Sequence, residues 1–502
     1  MNIDLCLKQI KEHVKKIEYL RYTNNGLLYW DKITQMPTKG NEYRSEVMAY
    51  IAGQIHSLSQ DEILLRNLAF LEKQNPDDLS IRTNSMLRKI KRNYKYTYNI
   101  PVEEYKAYIH LISKAEEAWA ISKKENNFEM LEPFLEKIVC YFRKFADYWG
   151  YENEPYDALL EYYEEGMTVK KIDAMFIELR NFIIDYLKKI NGSKENIASF
   201  DFNNKFIIDN QINMTNEILS MIGFDFEAGR VDQSIHPTIL TCSNKDVRIV
   251  TNYDKNDFRK ALTTALHEGG QGLYEQGIDD ELYGSFLAES ASMSILEAIA
   301  DYYENIFGKS EEFLFLYYPK LIKYFGELEN ISEYDFYRSL NKVEPTFIRM
   351  DADELTYNLH IIIRYEIEKD LINGKIEVKD VKEIWNRKYK DYLGIEPPND
   401  NLGILQDVHW FSGYFGYFPI YVLGNLYATQ IYEKLKSEKT DYREIISEGR
   451  WIELQEWFKE KIFSHGATWN SEELIYLVTD ENLKVDYFIN YLKGKYDKIY
   501  NL

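Results

Sequence analysis

Thr263-Thr-Ala-Leu-His267-Glu268-Gly-Gly270-Gln271-Gly-Leu-Tyr-Glu-Gln-Gly277 is the stretch on which the reading of this chain turns. It reads as a helix carrying most of the H-E-x-x-H pattern of zinc hydrolases, with Gln271 where the second His belongs. At 3.6 residues per turn, positions 267 and 271 lie one above the other on one face. That spacing lets two side chains reach one Zn²⁺, while the Glu beside the first ligand takes a proton from water. The plainer alternative is a polar helix face on which His267 and Gln271 only make hydrogen bonds. The rest of the chain decides between them.

The chain has 502 residues, longer than a single ordinary core serves, so two lobes are expected. A net charge of −21, from 61 Lys+Arg against 82 Asp+Glu, argues against nucleic acid and anionic membranes as partners. Cys6, Cys140 and Cys242 show no metal-ligand spacing, and an odd, sparse set does not make a disulfide framework. The N-terminus is amphipathic and charged without the apolar core of a signal peptide, and no run approaches the length of a membrane span. A soluble cytoplasmic protein is the expectation.

Apolar residues recur at three- and four-residue spacing along most of the chain, so the class is mainly α. Helices are predicted over Leu5–Tyr22, Glu42–Ser59, Asp61–Lys73, Leu79–Tyr98, from Pro101 to about Lys124, and over Pro133–Tyr148. The basic run Arg88–Lys95 reads as a solvated helix face. Asp246–Tyr253 is the strongest strand candidate and ends ten residues before Thr263. It predicts a small β-sheet beside the zinc helix. A catalytic zinc usually takes three protein ligands and leaves a position for water. Two downstream carboxylates, Glu289 and Glu297, are candidates for the third, and Glu297, Asp301 and Glu304 share one helix face. Spacing alone does not choose.

Several further segments resemble the Taq carboxypeptidase family of metallocarboxypeptidases, over nearly the whole chain. They are Trp30-Asp31…Met36-Pro37…Gly40, Tyr156-Asp-Ala-Leu-Leu…Gly166-Met-Thr168, His236-Pro-Thr238, Asp246-Val-Arg248, Ile348-Arg349-Met-Asp-Ala352-Asp353 and Gly403-Ile-Leu-Gln406-Asp407-Val-His409-Trp410. The last two match the family patterns I-R-x-x-A-D and G-x-x-Q-D-x-H-W in full. Tyr303-Glu304-Asn305…Gly308-Lys309-Ser310 fits the family's Trp-Glu-Asn…Gly-Arg-Ser without a gap, which places the acidic ligand at Glu297. By the same likeness His267 is a metal ligand and Glu268 the general base. Departures surround this centre. Gln271 stands for the second His, Thr238 for a Phe, Val250 for a Thr, and Leu296, Ala298 and Ile299 for a His, a Ser and a Gln.

The resemblance implies a single metallocarboxypeptidase-like catalytic domain over 1–502, with two helical lobes around a deep active-site cleft. It implies a homodimer that releases single C-terminal residues from peptides. The metal set is His267, Gln271 and Glu297, holding Zn²⁺ weakly or another divalent ion such as Co²⁺ in its place, because an amide oxygen is a poorer zinc donor than imidazole. Arg248 and Arg349 are candidates to grip the substrate's terminal carboxylate, although either is equally readable as a structural ion pair. His409 and Tyr417 are candidates to stabilise the oxyanion, and His236 to line the subsites. The competing expectation is a catalytically inactive relative that still binds peptides or a partner.

Overall fold

The computed structural model describes residues 2–200, 206–234 and 237–502. The fold is mainly helical with one small sheet, as the periodicity predicts. The six helices anticipated in the first third are present as Ile3–Arg21, Asn41–Ser59, Glu62–Leu71, Ile81–Tyr98, Val102–Glu125 and Glu132–Trp149. Their ends follow local capping. Asp61 does not begin its helix but caps it, its carboxylate accepting from the amides of Ile63 and Leu64. The basic run is held by acids of its own unit, with Arg88 2.8 Å from Glu473 and Lys91 3.4 Å from Glu72.

Backbone contacts group the chain into two compact units. The first comprises Met1–Tyr94, Ser199–Tyr337 and Ile431–Asn482, and the second Lys95–Ala198, Arg338–Gln430 and Leu483–Leu502.

The first unit is built around the helix Phe258–Gly277, buried along most of its length and carrying the His267 motif. Asp257 starts it by accepting from the Arg259 amide at 3.0 Å, so it begins five residues before the quoted stretch. It packs against Ile208–Ile222, Met293–Asp301, Ile452–Lys461 and the sheet. Such crowding needs small residues at the crossings. A methyl on Gly270 would lie 2.9 Å from the Ile299 carbonyl oxygen and 3.3 Å from Ala300 Cα, so this glycine lets Met293–Asp301 come close. A methyl on Gly269 would meet Leu219 and Ile222 at 2.7 and 2.8 Å on the opposite side.

The sheet has strands β1 (Gly229–Gln233), β2 (Thr238–Ser243) and β3 (Asp246–Thr251) in the order β1-β3-β2. β3 is central, parallel to β1 and antiparallel to β2, and packs against the motif helix with Val247, Ile249 and Val250 fully buried. Only β3 is foreshadowed by sequence alternation. Arg230 and Arg248 face each other across β1 and β3, and the Trp30 ring lies 4.9 and 4.4 Å from their guanidinium carbons. Each arginine is neutralised by the Asp two residues away, Asp232 and Asp246, and Trp30 donates to Asp232 at 2.8 Å. The Trp30 and Asp246-x-Arg248 motifs thus meet in one packed cluster.

The core of the second unit includes the helix Tyr357–Ile372, whose His360, Arg364 and Glu368 are all fully buried. Asp157 accepts from the Val169 amide at 2.7 Å, which closes the loop between two helices and accounts for its place in the Tyr156–Thr168 motif.

The crossing at Gly270 yields a direct expectation. Gly270→Ala forces a methyl against backbone that cannot rotate away, and overpacking of this kind costs about 1–3 kcal/mol. Urea denaturation should show that loss, and an unchanged midpoint and slope would mean the two helices do not cross this closely.

Candidate metal centre

Four of the anticipated residues come together in the first unit. His267, Glu268 and Gln271 follow one another along the motif helix, and Glu297 lies on Met293–Asp301, the helix admitted by Gly270. His267 Nε2 stands 3.6 Å from Glu297 Oε2. Two donors each about 2.1 Å from a shared ion are roughly 3–4 Å apart, so this spacing fits joint coordination. On the other side of the ring, Nδ1 lies 2.9 Å from Glu304 Oε2. A metal-ligating His ordinarily donates its second ring N–H to a carboxylate, which fixes the tautomer and leaves the other nitrogen for the ion. Glu304 does this for His267 and is itself 3.5 Å from the Lys309 ammonium. It sits on the wider π-helical turn Tyr302–Phe307 that continues the Glu297 helix, a local geometry common at functional sites. Asp301 completes a close group with His267 and Glu304, their ligand atoms all within 4.8 Å of one another.

The electrostatics of the group call for a cation. Burial opposes charge on His267, but the hydrogen bond to Glu304 and the fields of Glu297, Glu304 and Glu268 outweigh it and raise its pKa to about 10. Burial pushes Glu268 up to about 7, with Glu297 and Glu304 adding to the rise and His267 opposing it. Burial likewise works against ionised Glu304, yet Lys309 and His267 hold its carboxyl down at about 2. Glu268 is 7% exposed, and its buried Oε2 has no hydrogen-bond partner among the described residues. The Gln271 side chain, one turn along the same helix, is equally buried. Buried polar atoms normally find partners. An ion and its water on the His267–Glu297 side would supply them, so the donor set fits a divalent cation.

The remaining candidates fall elsewhere. Arg248 is in β3 of the first unit, its guanidinium on Asp246 at 2.8 and 3.0 Å and its face on Trp30. His236 lies outside the described residues. Arg349, His409 and Tyr417 belong to the second unit. Arg349 is 4% exposed and already holds a carboxylate, Asp407, at 3.0 Å, while donating to Tyr357 at 2.9 Å. His409 Nδ1 is 3.7 Å from Asp407 and has no hydrogen-bond partner among the described residues. Burial, together with Arg349 and Arg364 and against the pull of Asp407, lowers the His409 pKa to about 4, so the ring is neutral. Tyr417 lies beside it at 6.1 Å between ring centres.

Two residues carry more of this second cluster than the sequence reading assigned them. Arg364 is fully buried, reaches Asp407 at 2.8 Å and Gln406 at 2.8 Å, and stacks 4.5 Å from the Trp385 ring. Asp407 accepts from both arginines, and their charges hold its carboxyl far below the usual range against the opposing effect of burial. Glu368, one further turn along, accepts from Tyr156 at 2.7 Å, Trp410 at 2.6 Å and the Gly416 amide at 2.8 Å. These bonds tie the Tyr156 and Trp410 motifs together.

The family model for Carboxypeptidase Taq (M32) metallopeptidase matches residues 9–496. Carboxypeptidase 1 of Bacillus subtilis is 39% identical over 503 residues, covering 100% of both chains. The solved carboxypeptidase of Pyrococcus furiosus superposes with a TM-score of 0.95 at 31% identity, over 98% of this chain and 99% of that one. Metallocarboxypeptidase 1 of Trypanosoma cruzi gives 0.92 at 30% identity, covering 100% of both. The chain belongs to the Carboxypeptidase Taq (M32) metallopeptidase family. Membership makes it a metallocarboxypeptidase by class, and the family's chemistry calls for a divalent metal. No helix among the described residues is long and apolar enough to cross a membrane.

The Asp407 cluster makes a prediction about stability. Asp407→Asn leaves the Arg364 guanidinium buried without its counter-charge, and breaking a buried pair in this way costs about 3–5 kcal/mol. Denaturation at neutral pH should reveal that loss. In the wild type the depressed carboxyl keeps its full stabilising effect above its unfolded pKa of about 4 and loses it as the pH falls from there through the much lower folded value. A loss under about 1 kcal/mol in Asp407→Asn would contradict the pairing.

Proposed function

We propose that this protein is a metal-dependent carboxypeptidase that removes single C-terminal residues from peptides at a centre formed by His267, Gln271 and Glu297, with a weakened hold on its ion. The observation that carries the reading is the His267 ring, anchored through Nδ1 by Glu304 with Nε2 turned to Glu297, next to the buried, unpartnered Glu268 oxygen. A divalent cation held by these residues, zinc or another ion in its place, would supply Lewis acidity to polarise a carbonyl and acidify water. Glu268 takes a proton from water as the water oxygen bonds to the scissile carbonyl carbon, and delivers it to the amine nitrogen as the C–N bond breaks. Glu304 keeps His267 in one tautomer throughout.

On the family likeness, Arg248 and Arg349 recognise the substrate's carboxylate, His409 and Tyr417 donate to the developing oxyanion, and His236 lines the subsites. We assign the whole of 1–502 to one catalytic domain, expect a homodimer in the cytoplasm, and expect peptides rather than nucleic acid or membrane as partners. Gln271 favours a second reading, an inactive relative that binds peptides without cleaving them. An amide oxygen in place of an imidazole lowers metal affinity, and even the loss of outer-shell contacts costs about 10–100-fold.

Hydrolysis of an N-blocked dipeptide with excess divalent ion separates the two. Activity should appear, require the ion, and fall roughly 10²–10⁴-fold in Glu268→Gln, which keeps the shape and removes the base. The same dipeptide amidated at its C-terminus should turn over more slowly, since an arginine grip loses its carboxylate. Equal rates on acid and amide would contradict exopeptidase action, and peptide binding without turnover would establish the inactive reading.

A further inference from the structure

The donors at this centre are unusually rich in oxygen for a zinc hydrolase. Among the described residues His267 Nε2 is the one imidazole nitrogen paired with Glu297, and Gln271 stands a turn away on the same helix face. Around them stand the carboxylates of Glu268, Glu297, Asp301 and Glu304, with Lys309 as the cation paired to Glu304. The buried Glu268 oxygen has no partner among the described residues, and the equally buried Gln271 lies one helical turn beyond His267. Imidazole nitrogen suits zinc and its neighbours late in the first transition row, whereas carboxylate, carbonyl and water oxygens suit Mn²⁺, Mg²⁺ and Ca²⁺.

We propose that Gln271 sets the ion preference of this centre, changing it from a zinc-selective site to an oxygen-rich one that takes Mn²⁺ through His267, Glu297 and the Gln271 amide oxygen. The inference rests on reading the centre as a metal site and goes beyond it by naming the ion and the residue that selects it. Zn²⁺ ordinarily outcompetes Mn²⁺ at a shared set of ligands. What Gln271 changes is the margin. Exchanging a nitrogen donor for a neutral oxygen weakens zinc far more than manganese, which is held chiefly by charge and by oxygen. Mg²⁺ binds reluctantly here because it resists giving up its waters, and Ca²⁺ prefers six to eight oxygens. Mn²⁺ accepts one imidazole among oxygens.

The test reads binding alone. Metal-depleted full-length protein is titrated with Mn²⁺, followed by loss of the free-ion electron paramagnetic resonance signal, and with Zn²⁺ against a chromophoric chelator. The wild type should bind Mn²⁺ at one site, and Glu297→Gln should abolish it. Gln271→His should raise the ratio of zinc to manganese affinity at least about 10-fold. An unchanged ratio overturns the proposal, as does Mn²⁺ binding that survives Glu297→Gln. If Gln271→His does not fold, Gln271→Ala tests the same claim. Its Mn²⁺ affinity should fall at least about 5-fold with the helical circular dichroism intact, and an unchanged affinity overturns the proposal. No peptide is hydrolysed in these titrations, so their failure leaves the carboxypeptidase reading to the Glu268→Gln experiment, and the converse holds too.

Discussion

The close crossing of two helices at Gly270 is the constraint from which the centre follows. One helix carries His267, Glu268 and Gln271; the other carries Glu297 and continues into the turn holding Glu304. With backbone carbonyl 2.9 Å from where a Gly270 methyl would sit, the two helices approach until one imidazole spans two carboxylates. Glu304 takes Nδ1 and Glu297 faces Nε2, so the ring has a single sensible orientation. Side chains in the wrong rotamer would leave buried charge without a partner, which is far costlier than the hydrogen bonds gained.

The same pairing of buried charge organises the second unit by itself. Arg349 and Arg364 are buried on Asp407, and Gln406 accepts from the Arg349 amide and from Arg364. The family motif Gly403–Trp410 thereby forms a polar core, with Trp410 donating to Glu368 on the neighbouring helix. Residues that look functional in a motif also hold the fold together here, and the two roles coexist in Arg349, whose carboxylate partner is supplied by the chain.

Much of this was legible in the sequence, for physical reasons that differ from place to place. Long amphipathic helices announce themselves by periodicity, and β3 by its run of β-branched residues. β1 and β2 did not, because Gly229-Arg-Val-Asp-Gln and Thr238–Ser243 bury no clean alternating face. The shared face of Glu297, Asp301 and Glu304 was visible as spacing, but only the structure shows Glu304 on the far nitrogen of His267. The glycines of the motif helix gave no warning of their role, since close approach depends on what packs opposite. Arg364 was hidden for a similar reason: an arginine in a helix that also carries Glu366, Glu368, Lys369 and Asp370 reveals its partner only once Asp407 is placed. The choice of Glu297 over Glu289 came from the family likeness. In the structure Glu289 pairs with Lys89, away from this chemistry.

The position of the ion relative to the His267 ring decides which residues hold it. Anomalous diffraction from crystals soaked in Mn²⁺, recorded near the manganese absorption edge, locates it directly. The expected result is one strong peak bonded to His267 Nε2 and Glu297, with Gln271 alongside and Glu304 still on Nδ1. A peak on the Nδ1 side, between Asp301 and Glu304, would contradict the claim, as would full soaking with no peak at this helix crossing.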